Sequence, residues 1–155
     1  MKLLSISIFV LSTVFVSCQK KQSFDAASIE IEVTEMLHAY DDSVRKNGVE
    51  GGFYFLDKSD AFYWVPPDYK YAIDYDSISS ILHAHATQFK HIDNQWKGLR
   101  VMPLSEKYAS FNGVVISTAI TTENDTTITK LAETGIVVKR KEGWKLLSGQ
   151  TTLVD

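Results

Sequence analysis

The chain has little of what marks several common classes of protein. Its 155 residues include a single cysteine, so no disulfide can form within the chain and a multi-cysteine metal site is excluded. Three prolines and eight glycines are too few for a long disordered region. The net charge is only −3, with 16 basic and 19 acidic residues, and this argues against a nucleic-acid partner, which requires a basic surface.

Long apolar runs are also scarce, and the longest lies at the N-terminus. Lys2 precedes an apolar stretch over residues 3–16, which is shorter than the ~20 residues that span a bilayer. Ser17 is small, as a signal peptidase requires before its cleavage site, and the chain becomes polar after Cys18. The pattern predicts a signal peptide over residues 1–17, a tether over 18–24 and one domain over 25–155.

Cys18 lies at this polar junction and not within a packed apolar pattern. The stretch "FVSCQK" resembles a bacterial lipobox, in which the cysteine sulfur is acylated and the chain is cut between Ser17 and Cys18. The resemblance implies that acylated Cys18 anchors the protein to a membrane, since each buried methylene contributes ~0.8 kcal/mol. Gln19 implies, by analogy with enterobacterial sorting, the periplasmic face of the outer membrane. A plain secretory signal is the alternative.

Two stretches have apolar residues at the three- and four-residue steps of an amphipathic helix. The first runs from Asp25, a candidate cap, to the stop signal Asn47-Gly48. The second covers 76–96 with Asp76 as its expected cap, and His85 lies in the middle of its buried stripe. That stripe consists of Ile78, Leu82, His85, Phe89, Ile92 and Trp96.

The remaining segments predict strands. Between the helices, Gly51-Gly52 limits any further helix to a short one, and "AFYWV" over 61–65 predicts a strand that ends at Pro66-Pro67. From residue 97 the apolar residues alternate, with turn residues between the stretches 99–105, 108–120, 127–140 and 144–153. Sequential strands with short turns favour an antiparallel meander, and helices before strands indicate an α+β class with helices on one sheet face.

This order of elements resembles the NTF2-like, or SnoaL-like, fold. The likeness rests on "LDKSDAFYWVPPD" (56–68) and "EGWKLLSGQTT" (142–152), and it extends over about residues 25–153. It implies a cone, in which a curved, mainly antiparallel sheet wraps around N-terminal helices and leaves an open end with a mixed polar and apolar pocket. The family includes isomerases, dehydratases, cyclases and non-catalytic binding proteins, so the fold alone does not give the function.

One enzymatic branch of the family can be compared residue by residue. Ketosteroid isomerases, which this layout resembles, place a general-base aspartate just before a proline at the end of the first strand. Val65 stands at the matching position here, and a valine cannot accept a proton. Tyr40 lies near the family's first-helix tyrosine, one residue out of register. The sequence therefore argues against ketosteroid isomerase chemistry.

Aromatic residues are the first candidates for lining a pocket. Residues 53–75 contain nine of the 18 aromatic side chains, which either fill the core or form a pocket rim. Amphipathic rings suit a ligand with apolar and hydrogen-bonding parts. The pocket candidates among the aromatic residues are Tyr40, Tyr63, Trp64 and Tyr71.

Three further side chains are candidates because of their periodicity. His85 is expected to be buried, either hydrogen-bonded in the core or facing a pocket. Glu133 is the nearest acidic partner that can be named for it, and it shares a strand phase with Leu131. Gln150 faces the cone if the phase of Trp144 does, but the opposite phase of the last strand remains open. The other three histidines are expected on the surface.

The leading functional hypothesis is a membrane-tethered domain that binds a small, partly apolar molecule or forms a homodimer. The alternatives are an enzyme of the same fold, with His85 and a tyrosine as acid and base, and a structural envelope dimer. Apolar residues on both phases of "GVVISTAI" (113–120) favour a sheet interface. No spacing such as HExxH is present, and we expect no metal and no cofactor.

Overall fold

The computed structural model describes residues 24–154. The predicted signal peptide, Cys18 and the tether up to residue 23 lie outside the described residues. In chain order the elements are α1 (Ala26–Asn47), a 3₁₀ helix (Val49–Phe55), β1 (Tyr63–Val65), α2 (Tyr75–Ala86), β2 (Phe89–Pro103), β3 (Tyr108–Thr121), β4 (Thr126–Arg140) and β5 (Gly143–Leu153).

Helix α1 forms where the sequence predicts it. The Asp25 carboxylate caps its first turn by accepting a hydrogen bond from the Ser28 N–H at 3.1 Å. Gly48 follows the last residue with a φ of 70°, a conformation that glycine adopts without strain. The apolar stripe of α1 is buried against the sheet, as its three- and four-residue spacing requires.

The 3₁₀ helix packs so closely on α1 that two of its positions have no room for a side chain. A Cβ atom on Gly51 would lie 2.3 Å from the Ser43 carbonyl oxygen, and one on Gly52 would lie 2.8 Å from the Tyr40 ring. The two glycines thus permit this close approach, and the expectation of only a short helix here is confirmed.

Helix α2 is shorter than predicted, and the expectation of a helix over 76–96 is wrong. Its cap is Asp74, which accepts from the Ser77 N–H at 2.9 Å, and the helix ends at Ala86. The chain then enters β2, whose partners in β3 extend from Thr121 to Ala109. The long ladder of hydrogen bonds outweighs the helical spacing of the apolar side chains, because that spacing also fits a strand with Ile92 and Trp96 on one face.

The strands form one five-stranded sheet in the order β1-β5-β4-β3-β2. Strands β2 to β5 make the predicted antiparallel meander, and β1 adds to β5 in parallel at the edge. Register shifts in β2–β3 and β4–β5 bend the sheet around the helices. The core lies between α1 and the inner sheet face, where Val33, Leu37, Phe111 and Val137 are almost fully buried. The α+β class with helices on one face of a curved sheet is confirmed.

Candidate functional site

A cavity of about 420 Å³ lies between the helices and the inner face of the sheet. Its walls are mainly apolar, and a few polar side chains converge on it, as is common in small-molecule sites. The lining residues are Leu37, Tyr40, Leu56, Phe62, Trp64, Pro66, Pro67, Tyr69, Ile78, Ile81, Leu82, His85, Trp96, Glu133, Leu146 and Thr151.

Glu133 brings a carboxyl group into the cavity from the centre of the sheet. It lies in β4 between Gly113 of β3 and Thr151 of β5. Gly113 has no side chain, and the Trp96 ring occupies the space above it, 2.9 Å from where a Cβ atom would be. Burial, and secondarily the charge of Asp41, raise the pKa of Glu133 to about 7, against a smaller lowering by the Thr151 hydroxyl. Near neutral pH this group can therefore both give and accept a proton.

Asp41 is a second buried carboxyl group with a raised pKa. It follows Tyr40 in α1 and is 8% exposed. Burial raises its pKa to about 7, although the Asn94 amide donates to Oδ1 at 3.3 Å and opposes that rise. Oδ2 is buried and has no hydrogen-bond partner among the described residues. An ionised Asp41 is therefore poorly stabilised, and its protonated form is favoured.

The Trp96 indole N–H lies on the Asp41 side of the cavity. It is close enough to lower the pKa of the Asp41 carboxyl, yet it is buried without a hydrogen bond of normal length and angle within the described chain. The indole therefore stabilises the carboxylate less than a full hydrogen bond does, and burial remains the dominant effect on Asp41.

Tyr40 completes this group of titratable side chains. Its ring packs on Gly52 and lies edge-on to Phe55, with 5.8 Å between the ring centroids. Burial raises the pKa of the Tyr40 phenol above its ordinary value, and the charges of Glu133 and Asp41 raise it further. Tyr40 is therefore held neutral and can act as a hydrogen-bond donor in the cavity.

Trp64 forms a further part of the cavity wall. Its indole Nε1 donates to Thr151 Oγ1 at 3.0 Å, which links β1 to β5 beside Glu133. The ring lies against Gly149, where a Cβ atom would come within 2.7 Å of it. The hydrogen bond and the glycine together fix the orientation of Trp64, so this wall of the cavity is already formed.

His85 lies at the open end of the cavity in the last turn of α2. Because the helix ends at Ala86, His85 is exposed, and the expectation that it is buried in the middle of a long helix is wrong. It lines the cavity together with the exposed ring of Tyr69. The other histidines, His38, His83 and His91, are exposed, as expected.

The structure places three of the six pocket candidates in the cavity lining, together with the catalytic candidate Glu133, and leaves the other three outside it. Tyr40, Trp64, His85 and Glu133 line the cavity. Tyr63 and Tyr71 do not, and they are 53% and 68% exposed. Both are close in sequence to residues that line the cavity, but their side chains are exposed to solvent.

Gln150 is also exposed and does not line the cavity, and the reason is a bulge in β5. Val137 pairs with Leu146 but Ile136 pairs with Ser148, so one residue of β5 is extra. The inward phase therefore changes within the strand. Leu146 lines the cavity before the bulge and Thr151 lines it after the bulge, which no single period of two predicts.

Sequence reasoning missed Asp41, Trp96 and Thr151. A signal for Asp41 was present: it lies four residues after Leu37 and three before Val44, on the apolar stripe of α1. An acidic residue at a buried helical position indicates a functional site. Trp96 falls within the helix that the sequence predicts over 76–96. The inward orientation of Thr151 depends on the bulge in β5, which the sequence pattern does not reveal.

The described residues also bear on metal and membrane sites. Within residues 24–154 no three His, Cys, Asp or Glu side chains come together as a metal ion would require. None of the helices in that range combines the length and the apolar character that a membrane span requires.

Comparisons with known proteins identify the fold. No family model matches the sequence, and no curated protein matches it. Among solved structures, a candidate scytalone dehydratase from Novosphingobium aromaticivorans has a TM-score of 0.70 at 16% identity, over 81% of this chain and 83% of that one.

Two further structures are similar. A candidate dehydratase of the NTF2-like family from Streptomyces avermitilis has a TM-score of 0.70 at 12% identity, over 83% of this chain and 98% of that one. A type 2 hexachlorocyclohexane dehydrochlorinase has a TM-score of 0.64 at 13% identity, over 83% and 86% of the two chains. Together with the curved sheet, the helices on its inner face and the cavity between them, these similarities show that the chain has the NTF2-like fold.

Proposed function

We propose that the domain binds a small, largely apolar molecule in the cavity and moves a proton on it, with Glu133 as the general base or acid. The observation that carries this proposal is the Glu133 carboxyl group itself, which lines an apolar cavity with a pKa of about 7. A general acid or base acts best when its pKa is near the working pH.

Two buried carboxyl groups without cationic partners in residues 24–154 lower the stability of the folded protein. Their presence in the core therefore supports a catalytic role over ligand binding alone. An unpaired carboxyl group is destabilising in an apolar environment, and here neither Glu133 nor Asp41 has a cationic partner among the described residues. Groups of this kind with strongly raised pKa values are concentrated in active sites. On this ground we prefer a catalytic role to the non-catalytic binding that the sequence pattern favoured.

The arrangement suits a proton transfer next to a polarised group. Glu133 can accept a proton from carbon or oxygen, while the neutral Tyr40 phenol stabilises negative charge that develops on the ligand. The similar structures are named for dehydration and dehydrochlorination, reactions in which a base removes a proton and hydroxide or chloride departs, with net loss of water or HCl. Their similarity supports an isomerase or a lyase as the reaction class.

The test is proton exchange at carbon. We would incubate a panel of small ketones and β-hydroxyketones with the purified protein in D₂O and follow loss of the α-proton signal by NMR. We expect at least one compound to exchange faster with the wild-type chain than with Glu133→Gln, because the amide cannot accept the proton.

Glu123→Gln is the matched control. Glu123 is an exposed carboxylate in the turn between β3 and β4, outside the cavity, and its loss is expected to leave exchange unchanged. Exchange that is equally fast in wild-type and Glu133→Gln protein would contradict the assignment of Glu133. A panel without any exchange above the buffer rate would favour a protein that only binds its ligand.

The location of the domain is a separate proposal. We infer from "FVSCQK" that Cys18 carries a lipid and that the short segment after it holds the domain near a membrane, on the periplasmic face of an outer membrane. The position of Cys18 at the end of the apolar run supports this proposal.

Self-association through the outer face of the sheet is proposed as well. Val114, Ile116 and Ile136 lie on the face opposite the cavity and are half-buried, and Ile128 is 69% exposed. An apolar outer face on an antiparallel sheet favours a partner surface, and a second copy of this chain would cover it.

A further inference from the structure

The charges around the cavity are unbalanced. Glu133 is the only acidic side chain in the lining, Asp41 lies close behind it, and no lysine or arginine is among the lining residues. His85, at the open end, is the only basic group there. Ionisation of either carboxyl group therefore leaves a negative charge that nothing in the described cavity wall compensates.

Nearby cations of the protein are engaged elsewhere. Lys139 pairs with Glu32, Arg45 with Asp42 and Asp93, and Arg140 with Asp57. The Lys145 ammonium donates to the Tyr54 carbonyl oxygen and lies over the Tyr54 ring. None of these cations lines the cavity, so no lysine or arginine within residues 24–154 balances a carboxylate there.

Five aromatic rings share the cavity with the Glu133 carboxyl group: Tyr40, Phe62, Trp64, Tyr69 and Trp96. The faces of such rings attract a cation, most strongly when it is desolvated. An apolar wall, aromatic faces and an uncompensated carboxylate are the features that a protonated amine with an apolar body requires. A carboxylate or phosphate ligand would meet repulsion from Glu133 and would find no lysine or arginine in the lining.

We propose that the natural ligand of the cavity is an amine, with its ammonium group beside Glu133 and Asp41 and its apolar part against the aromatic wall. The proposal rests on the proposed function, in that it names the class of molecule on which the same site acts. One carboxylate is the counter-ion of the ammonium group, and the other retains the mobile proton. The same reasoning excludes anions as ligands.

Three probe ligands of similar size and shape, but of different charge, separate the effect of ligand charge on affinity from the effect of ligand size. They are 4-phenylbutylamine, 4-phenylbutanol and 4-phenylbutyrate, which carry a cation, no charge and an anion. Their binding to the full chain, purified in detergent, would be measured by isothermal titration calorimetry at pH 8 against a detergent blank. We expect the amine to bind at least about tenfold more tightly than the alcohol, from its carboxylate and aromatic contacts, and the acid not to bind.

Glu133→Gln supplies the internal test. The variant is expected to lose the preference for the amine while it still binds the alcohol, which also shows that it is folded. Glu123→Gln is expected to keep the preference. Between pH 8 and pH 5.5 the affinity for the amine should fall and that for the alcohol should not. The titratable side chains that line the ammonium site are Glu133 in β4, Tyr40 in α1, His85 in α2 and Tyr69 before α2, and Asp41 lies behind Glu133.

The outcomes distinguish this proposal from the one on which it rests. Equal affinities for the amine and the alcohol would overturn the amine proposal, and proton transfer at Glu133 would still stand on the exchange experiment. Tighter binding of the acid would overturn it as well. If none of the three probes binds at millimolar concentration, the amine proposal fails, and the deuterium-exchange result decides the proposed function independently.

Discussion

The carboxyl groups of Asp41 in α1 and Glu133 in β4 lie close enough in the core for the charge of Asp41 to raise the pKa of Glu133. One group comes from the helical layer and the other from the sheet, and each has a pKa of about 7. At neutral pH the pair therefore holds a proton that it can exchange with a ligand. The chemistry of the cavity follows from this one relationship between two layers of the fold.

The first prediction concerns stability and pH. The pKa of Glu133 rises from 4.5 to about 7 on folding, so the folded state binds more protons than the unfolded state between these values. The contribution of Glu133 to the free energy of unfolding therefore becomes unfavourable as pH rises above about 4.5, and it is fully unfavourable above about 7. Glu133→Gln should be more stable than wild type at pH 8, by about 1 to 3 kcal/mol, and the difference should shrink towards pH 4.5.

Urea denaturation followed by circular dichroism at several pH values measures this effect. Glu123→Gln, which changes an exposed carboxylate, should follow the wild-type profile. A Glu133→Gln variant that is less stable than wild type at pH 8 would show that the carboxylate has a stabilising partner, against the uncompensated charge described above.

The second prediction concerns Gly52, which makes room for Tyr40. A Cβ atom on Gly52 would lie 2.8 Å from the Tyr40 ring, so Gly52→Ala must displace the ring or the 3₁₀ helix. We expect a loss of about 1 to 3 kcal/mol, as is typical of overpacking. The double variant Gly52→Ala/Tyr40→Leu should recover part of that loss in a thermodynamic cycle. Equal penalties in both backgrounds would mean that backbone strain, and not the ring, is responsible.

The third prediction concerns the ion pair between Asp57 and Arg140, the last residue of β4. Arg140 Nε and Nη2 donate to the two Asp57 oxygens at 2.9 and 2.7 Å, and the Asp57 side chain is 7% exposed. Arg140→Ala leaves this carboxylate without its partner and should cost about 2 to 3 kcal/mol, less than in a fully dry pair because Arg140 is 38% exposed.

Low pH should reduce the destabilisation caused by Arg140→Ala. The Arg140 guanidinium holds the pKa of Asp57 below its ordinary value, so the pair stabilises the protein above that value and loses its effect as pH falls through the lowered pKa. Thermal denaturation should show a large difference in Tm between wild type and Arg140→Ala at pH 7 and a small difference at pH 3. A difference that does not depend on pH would point to lost packing instead.

The fourth prediction concerns Cys18. If its sulfur carries the lipid, Cys18→Ala should move the protein from the membrane to the soluble fraction and abolish cleavage between Ser17 and Cys18. Cell fractionation with mass spectrometry of the processed N-terminus measures both. A variant that remains with the membrane and is cut at the same bond would contradict the lipobox interpretation.

The fifth prediction concerns oligomeric state. We expect the soluble domain from Gln19 onward to be a dimer in light scattering at micromolar concentration. Ile116→Lys and Ile128→Lys on the outer sheet face should give monomers that remain folded, since neither side chain is in the core. A monomeric wild-type domain would rule out the sheet as a self-association surface.

The sequence predicted elements whose signals are local. The Asp25 cap, the stop at Asn47-Gly48 and the alternation of 108–153 specify α1 and three strands, because capping and side-chain alternation depend on nearby residues. The α+β class followed from the order of these elements. Within the site, the pocket candidates Tyr40, Trp64 and His85 and the catalytic candidate Glu133 all lie along the cavity.

Tertiary structure decided what depends on pairing between distant segments. Helix α2 ends at Ala86 because the start of β2 pairs with the far end of β3, where Phe89 lies opposite Thr121, and the local apolar spacing does not reveal this pairing. The bulge in β5 turns Thr151 inward in place of Gln150. The raised pKa values of Asp41 and Glu133 exist only after burial removes water and the fold brings the two charges together, so the chemistry of the site is a property of the packed layers.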